Sequence, residues 1–266
     1  MDHTPEETVL KEVIGLVPAG GQAKRIGPLP CSKELYPIGF RVVEGEEGRR
    51  PKTACHYILE KMRGAGITQI YIVLREGKWD IPAYLRDGSM LGVHIAYLIV
   101  QLPFGVPYTL DQAYPFVQDR VVAFGFPDII FNAESSFKQL IDRQKASNAD
   151  IVLGLFPTDR PEKEEMVDVD KYGRVKEIII KPSRTSLHYT WGIAVWSPRF
   201  TRFLHDYVIA RKSSADRNPE LSITEVLQAA IEMNMNAEAC PVSDHGYLDI
   251  GTPEDLLKAV RYFAVP

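Results

Sequence analysis

Short apolar runs rich in β-branched residues alternate with amphipathic segments, and this alternation limits the possible folds more than any other feature. Strands are predicted over residues 13–17, 70–74, 92–100, 121–124 and 151–156. Helices are predicted over residues 53–63 and 135–145. Two parallel strands need a connection about as long as a helix, so strands and helices in this order predict an α/β fold with a mainly parallel sheet.

The second half of the chain follows a less regular pattern. Segment 160–174 is rich in charged residues, and we expect a solvated loop or arm there. Strands over 173–181 and 190–196 are predicted to extend the sheet in a mixed arrangement. Helix starts are predicted at Ser197-Pro198, at the capping box Ser222 to Glu225, and at Thr252-Pro253. In the last helix, we expect four side chains to face inward: Leu256, Leu257, Val260 and Phe263.

Composition excludes several classes of protein. The 266 residues are 45% hydrophobic and 25% charged, and no polar linker divides them, which predicts one folded domain over 1–266. A net charge of −4 gives no basic field for nucleic acid. The longest uncharged stretch, 88–110, is interrupted by polar residues and prolines, so we expect no membrane span. The first residues lack the charged-then-apolar pattern of a secretion signal, so we expect a cytoplasmic protein. The three cysteines lack C-x-x-C spacing, so we expect neither disulfides nor structural zinc.

The loop after the first strand is a candidate phosphate site. Glycines such as Gly20 and Gly21 allow backbone N–H groups to approach a phosphate closely, and Arg25 and Lys33 add positive charge. The loop is neither a P-loop, which needs Lys-Ser/Thr after its last glycine, nor a G-x-G-x-x-G motif. A tight strand–helix turn with solvated cations explains the loop by itself equally well.

Two aspartates are candidate metal ligands. Asp128 follows a predicted strand, at the sheet edge where open α/β folds bind ligands, and Asp249 comes shortly before the last helix. Mg²⁺ takes one or two protein carboxylates and completes its shell with phosphate and water. Each aspartate also has a simpler explanation: Asp128 as a loop residue that caps a turn, and Asp249 as a charge near a helix N-terminus.

Two further positions carry weaker signals. Lys181 ends an apolar strand and can present one ammonium group to a phosphate, although a solvated strand end is the commoner case. Gln101, four residues before Gly105, can both donate and accept hydrogen bonds and so can read a pyrimidine edge.

Taken in order, these segments resemble the sugar-1-phosphate nucleotidyltransferases, and most of all their glucose-1-phosphate thymidylyl- and uridylyltransferase branch. The family's L-A-G-G-x-G-T-R and P-K-x-L resemble LVPAGGQAKR at 16–25 and SKEL at 32–35. Its G-D-x-I-F, E-K-P and Q-x-x-x-G resemble 127–131, 180–182 and 101–105. Its W-L-D-T-G-T-P-E is matched almost fully by YLDIGTPE at 247–254.

The resemblance implies a Rossmann-like, mainly parallel mixed sheet flanked by helices. A nucleotide-binding part would cover about 10–156 and a sugar-phosphate-binding part about 157–266. It implies a Mg²⁺-dependent reaction in which a sugar-1-phosphate attacks the α-phosphorus of an NTP, giving NDP-sugar and pyrophosphate. The NTP and the sugar-1-phosphate would be its partners, and a homo-oligomer is compatible with the family.

The resemblance also implies a role for each candidate residue. Arg25 would bind the leaving pyrophosphate, Lys33 the α-phosphate region and Lys181 the sugar phosphate. Asp128 and Asp249 would hold Mg²⁺. The nucleotide pocket would be lined by Gly20, Gly21, Gln101 and Gly105. If Gln101 reads the base as in the family, UTP or dTTP is favoured over purine nucleotides.

The chain departs from the family pattern at two informative positions. Ala23 replaces the third loop glycine, and if that position needs a positive φ, alanine costs about 1 kcal/mol or more. Ile180 replaces a glutamate that accepts sugar hydroxyls, and isoleucine cannot accept a hydrogen bond. Either the sugar differs, the acceptor is not an ordinary sugar phosphate, or activity is lost. A non-catalytic nucleotide- or sugar-nucleotide-binding protein, and a cytidylyl- or guanylyltransferase with another phosphorylated acceptor, therefore remain alternatives.

Overall fold

The computed structural model describes residues 13–43, 47–101, 105–213 and 220–263. Its strands are β1 Val13–Ala19, β2 Pro37–Val42, β3 Arg49–Thr53, β4 Gln69–Arg75, β5 His94–Val100, β6 Val121–Gly125, β7 Ile129–Ile130, β8 Ile151–Pro157, β9 Glu165–Val169, β10 Val175–Ile180, β11 Tyr189–Trp196, β12 Ala237–Pro241 and β13 Leu248–Asp249. Its α-helices are α1 Ala54–Gly64, α2 Asp80–Leu85, α3 Val106–Asp111, α4 Tyr114–Val117, α5 Ser136–Ser147, α6 Pro198–Ser213, α7 Ile223–Glu232 and α8 Pro253–Phe263. Short 3₁₀ turns cover Lys33–Leu35, Ser89–Leu91 and Pro161–Lys163.

Nine of the described strands form one mixed sheet. Its main path runs β10-β9-β11-β6-β1-β4-β5, and β8 pairs with both β11 and β12. The strands β6, β1, β4 and β5 are parallel to one another, whereas β11 runs antiparallel to β6, β8 and β9. The predicted α/β sheet flanked by helices is confirmed.

Apolar residues cover both faces of this sheet. All seven residues of β1 are buried, as expected for a strand that helices cover on both sides. One apolar cluster contains Phe124 and Trp196, and the other contains Ile58 and Phe137 from α1 and α5. The central strands are thereby fixed, and the loops at their carboxyl ends start from a rigid base.

Capping residues start the helices where the sequence predicts. Helix α1 follows the cap residue Thr53, and α6 and α8 begin at Pro198 and Pro253. The Ser222 hydroxyl accepts a hydrogen bond from the Glu225 N–H at 3.1 Å, and the Glu225 carboxylate accepts one from the Ser222 N–H at 2.7 Å. Within the described ranges, none of the helices has the length and apolar character that crossing a bilayer requires.

Two predictions in the second half are wrong. Segment 160–174 is not a solvated loop, because it contains β9, which pairs with β10 and β11 and buries Met166 and Val167. The two buried apolar residues of this short strand lie among charged residues, so the sequence shows no recognisable strand pattern there. In α8, Leu257 and Val260 are 50% and 38% exposed, so they do not face the core as expected.

Candidate active site

A cleft of about 700 Å³ opens at the carboxyl ends of β1 and β6. This edge is where open α/β sheets bind ligands, because the loops that leave neighbouring parallel strands converge there. Eight of the nine predicted site residues line it: Gly20, Gly21, Arg25, Lys33, Gly105, Asp128, Lys181 and Asp249.

Residues Gly20 to Pro30 form a tight loop on one wall of the cleft. Ala23 has φ 52°, in the left-handed region, and its carbonyl accepts hydrogen bonds from the N–H groups of Ile26 and Gly27 at 3.1 and 2.9 Å. The conditional expectation of a positive φ at Ala23 is therefore met. The left-handed region costs a non-glycine residue about 1–2 kcal/mol, which these two bonds help to offset.

Lys33 and Asp128 form an ion pair at the base of the cleft. Lys33 lies in the first 3₁₀ turn, and its Nζ contacts Asp128 Oδ2. The two side chains are only 14% and 12% exposed. Burial lowers the pKa of Lys33, but the charge and hydrogen bond of Asp128 outweigh it, so that the pKa is raised and the ammonium persists. Gly21 packs beside this lysine, since a Cβ there would lie 3.5 Å from Lys33 Cε.

A two-residue ladder brings the two predicted metal ligands together. Strands β7 and β13 pair antiparallel, Asp249 is opposite Ile129, and the Ile250 N–H donates to the Asp128 carbonyl at 3.0 Å. Burial, followed by the charge of Asp128, raises the pKa of Asp249. Arg25 Nη2 lies 3.3 Å from Asp249 Oδ2 and offsets part of this negative charge.

A buried ion pair supports the turn that carries Lys33. Glu34 and Lys78 are 1% and 4% exposed, and Lys78 Nζ lies 2.6 Å from Glu34 Oε1. Burial raises the pKa of Glu34, and its ion pair with Lys78 opposes that shift. Breaking such a pair leaves a buried charge unpaired, so the pair fixes the turn in one conformation.

Lys181 lies at the other end of the cleft. It follows β10 with φ 47°, and its backbone N–H donates to the Glu164 carbonyl at 2.9 Å. Its side chain is exposed and has no ion-pair partner in the part of the chain that the structure describes. An ammonium group in this position can bind an incoming phosphate without first breaking an ion pair.

Sequence reasoning missed two glutamates that line the cleft beside Lys181. Glu164 and Glu165 lie immediately before and at the start of β9 and are half-buried. The Tyr247 hydroxyl donates to Glu164 Oε2 at 3.0 Å, and Trp191 Nε1 donates to Glu165 Oε2 at 3.0 Å. Recognising β9 as a strand would have placed these residues, but the interpretation of 160–174 as a solvated arm concealed them.

The two ends of the predicted base-reading segment lie in different surroundings. Gly105 lines the cleft with φ 113°, and an added Cβ would lie 2.0 Å from the Leu221 carbonyl oxygen, so only glycine fits there. Gln101 is exposed and is not among the described residues that line the cleft. Its role in reading the base stays a prediction.

The acidic residues of the cleft fit a hard divalent cation that also binds phosphates. Within the described ranges, no group of three or more His, Cys, Asp or Glu residues can enclose a metal ion. Asp128 and Asp249 supply two carboxylates, and burial, followed by the charge of Asp128, raises the pKa of Asp249. Two protein carboxylates with phosphate and water completing the shell is the arrangement that Mg²⁺ prefers.

Comparisons with known proteins agree with this geometry. The nucleotidyl transferase family profile matches residues 14–264. Among curated relatives, the low-salt glycan biosynthesis nucleotidyltransferase Agl11 of Haloferax volcanii is 26% identical over 92% of this chain. A glucose-1-phosphate thymidylyltransferase of Actinoplanes sp. is 27% identical over 93% of it.

A solved structure shares the fold. It is a Bacillus anthracis protein, provisionally named glucose-1-phosphate thymidylyltransferase and crystallised with sucrose, with a TM-score of 0.79 and 19% identity over 96% of each chain. This chain spans 64% of the length of the Haloferax relative and 77% of the Actinoplanes relative. Because the family profile covers nearly the whole chain, the chain belongs to the nucleotidyl transferase family of enzymes.

Proposed function

We propose that the protein transfers a nucleotidyl group from UTP or dTTP to a sugar-1-phosphate in a Mg²⁺-dependent reaction that releases pyrophosphate. One observation carries this proposal: a single cleft contains the phosphate-type loop after β1, the cations Lys33 and Lys181, and the facing carboxylates Asp128 and Asp249. The names of the Haloferax and Actinoplanes relatives support the same reaction class.

Asp128 and Asp249 would hold the magnesium ion. When bound, Mg²⁺ supplies positive charge to the phosphate oxygens of both reactants. In the structure each aspartate already contacts a cation, Lys33 for Asp128 and Arg25 for Asp249. We expect these ion pairs to loosen as the substrates bind, which frees Lys33 and Arg25 for phosphate.

The side chains bind and orient the phosphates. Backbone N–H groups at Gly20 and Gly21 approach the triphosphate, Lys33 binds the α-phosphate region and Arg25 binds the departing pyrophosphate. Lys181 holds the phosphate of the acceptor. One bond forms between an acceptor phosphate oxygen and the α-phosphorus as the bond to the pyrophosphate oxygen breaks, and no proton transfer is needed. Positioning and charge neutralisation then supply most of the catalysis.

A second candidate, a nucleotide-binding protein without catalytic activity, is favoured by the strained loop. Ala23 occupies a left-handed conformation in the phosphate-type loop, and Ile180 stands in place of a hydrogen-bonding residue. The retained cations and aspartates weigh against this alternative, because binding without turnover does not require all of them.

Pyrophosphate release tests the proposal directly. Purified protein would be screened with each of five NTPs and several sugar-1-phosphates, with and without Mg²⁺, alongside the Asp128→Asn variant. We expect release only with Mg²⁺ and a sugar phosphate, fastest with UTP or dTTP, and at least a hundredfold loss in the variant. Asp142→Asn, at a 56% exposed position on α5, is the matched control and should keep full activity. Nucleotide binding without release from any combination would favour the second candidate.

A further inference from the structure

Two carboxylates that line the cleft have no role in the nucleotide and metal binding proposed above. They belong to Glu164 and Glu165, which line the cleft together with Lys181. Strands β9 and β10 pair antiparallel, Glu165 is directly opposite Ile180, and the Lys181 N–H donates to the Glu164 carbonyl at 2.9 Å. The side chains of Glu164, Glu165 and Lys181 all line the same cleft. The two glutamates therefore lie beside the position where an acceptor phosphate would bind.

Glu165 is held in one orientation by two donors. Trp191 Nε1, from β11, lies 3.0 Å from Glu165 Oε2, and the Thr224 hydroxyl from α7 contacts the same oxygen. Both bonds use Oε2 and fix the carboxylate, whereas Oε1 has no hydrogen-bond partner within the described ranges and can accept from a ligand. A rigid acceptor placed this way discriminates between ligands better than a mobile surface glutamate.

Glu164 is anchored in a similar way from the other side of the cleft. The Tyr247 hydroxyl donates to Glu164 Oε2 at 3.0 Å, and Arg160 Nη2 lies 4.0 Å from Oε1. Arg160 itself is engaged by Asp255 through two bonds of 2.9 and 3.0 Å. Burial raises the pKa of Glu164, so a ligand that donates hydrogen bonds to this carboxylate would stabilise its ionised form.

Ile180 does not provide this recognition. It is 47% exposed, it is not among the described residues that line the cleft, and its side chain has no polar atom. Carboxylates accept hydrogen bonds only, so Glu164 and Glu165 select for groups that donate them.

We propose that Glu164 and Glu165 recognise the acceptor by accepting hydrogen bonds from its hydroxyl or ammonium groups, next to the phosphate that Lys181 binds. This proposal rests on the proposed nucleotidyl transfer, because that reaction brings a phosphorylated acceptor to Lys181. The acceptor class is a sugar phosphate rich in hydrogen-bond donors. A phosphorylated compound that lacks donors near its phosphate would gain no hydrogen bond from either carboxylate and would bind poorly.

Steady-state kinetics of Glu164→Gln and Glu165→Gln test the proposal. We expect either substitution to raise the KM for glucose-1-phosphate about tenfold and the KM for the NTP less than twofold. The same measurements are made with glucosamine-1-phosphate as a second acceptor. An equal rise in KM for both sugars indicates that the glutamates bind hydroxyl groups. A larger rise for the amino sugar indicates that they bind its ammonium group. Glu162→Gln, exposed in the same segment and outside the cleft, is the matched control and should change neither KM. Thermal unfolding of each variant separates a loss of fold from a loss of recognition.

A binding measurement keeps this test separate from the test of the proposed function. UDP-glucose should stabilise the wild-type protein against heat more than UDP does, and Glu164→Gln should remove that difference without affecting stabilisation by UDP. This readout needs no turnover, so it holds even if no pyrophosphate is released. The inference is overturned if both Gln variants keep the wild-type KM and the wild-type difference between UDP-glucose and UDP. It is also overturned if Ile180→Glu lowers the acceptor KM tenfold while the Gln variants do nothing.

Discussion

The end of the cleft proposed to bind the nucleotide (the nucleotide end) and the end proposed to bind the acceptor (the acceptor end) are built on different principles. At the nucleotide end, loops that follow the parallel strands β1 and β6 carry Lys33 and Asp128, which neutralise each other. At the acceptor end, the antiparallel strands β9 and β10 and the residues beside them supply Glu164, Glu165 and Lys181, and Lys181 has no ion-pair partner among the described residues. The charged groups of the nucleotide end suit the phosphates of any NTP, because phosphates have a constant geometry. Under our proposal, recognition of a particular acceptor depends instead on the carboxylates of the other end.

This contrast predicts where change is tolerated. Altering the nucleotide end should reduce the reaction with every acceptor, because the reacting phosphorus would lie there in the proposed reaction. Altering the acceptor end should change which acceptor is used, while the chemical step is less affected. The predictions below begin with the substitutions that separate the two ends most strongly.

Matched substitutions of the two lysines should have effects of different size and kind. Lys33→Met should lower kcat/KM about a thousandfold with every acceptor, because it removes a buried charge at the reacting phosphate. Lys181→Met should raise the KM for the sugar phosphate about ten- to thirtyfold and leave the NTP KM within twofold. Initial rates over a grid of both substrate concentrations give kcat and both KM values for each variant. Equal effects on both KM values in both variants would mean that the cleft has no division into two ends.

The sequence predicts the nucleotide end better than the acceptor end. Strand β1 is an uninterrupted apolar run, and a loop with two adjacent glycines after it has few structural interpretations. Asp128 follows β6 closely in sequence, so the rule for strand ends was enough to place it. The sequence suggests that Asp128 and Asp249 could share one Mg²⁺, but it does not show how they meet, because the β7–β13 ladder joins segments over a hundred residues apart.

The acceptor end resists prediction because its residues look like surface residues. In β9 two buried apolar side chains, Met166 and Val167, lie among acidic neighbours, so neither strand alternation nor an apolar run is visible. Glu165 is tolerated there only because Trp191 and Thr224 donate to it from other elements. Such partners become known only once β11 and α7 are packed against β9.

A buried histidine should make the stability of the protein depend on pH. The Thr53 N–H donates to His56 Nδ1 at 3.0 Å at the start of α1, and burial lowers the pKa of His56 to about 3. The folded pKa lies below the unfolded value of about 6.5, so the unfolded chain binds the proton more readily. Stability is therefore complete above about pH 6.5 and declines as the pH falls toward 3. From pH 6.5 to 5 the free energy of unfolding should drop by about 2 kcal/mol from this residue.

Urea unfolding at pH 7 and pH 5 measures the effect of His56. In His56→Gln, whose amide oxygen can still accept from Thr53, about 2 kcal/mol of the pH dependence should disappear. His188→Gln is the control from the acceptor half, because His188 is exposed and its substitution should leave the pH dependence unchanged. A His56→Gln variant with the wild-type pH dependence would contradict the prediction and would locate the titrating groups elsewhere.

The smallest effect concerns the backbone of the nucleotide loop. Ala23 has φ 52°, so Ala23→Gly should raise the free energy of unfolding by about 1 kcal/mol, the steric cost of the left-handed region less the greater chain entropy of glycine. Ala146→Gly, at an exposed position inside helix α5, makes the same chemical change and should instead lower stability by about 1 kcal/mol. Urea unfolding of both variants gives the sign of each change. If Ala23→Gly is also destabilising, the Ala23 Cβ makes packing contacts worth more than the strain. If Ala23→Gly is stabilising and also raises the rate of pyrophosphate release, the strained loop lowers the reaction rate as well as the stability.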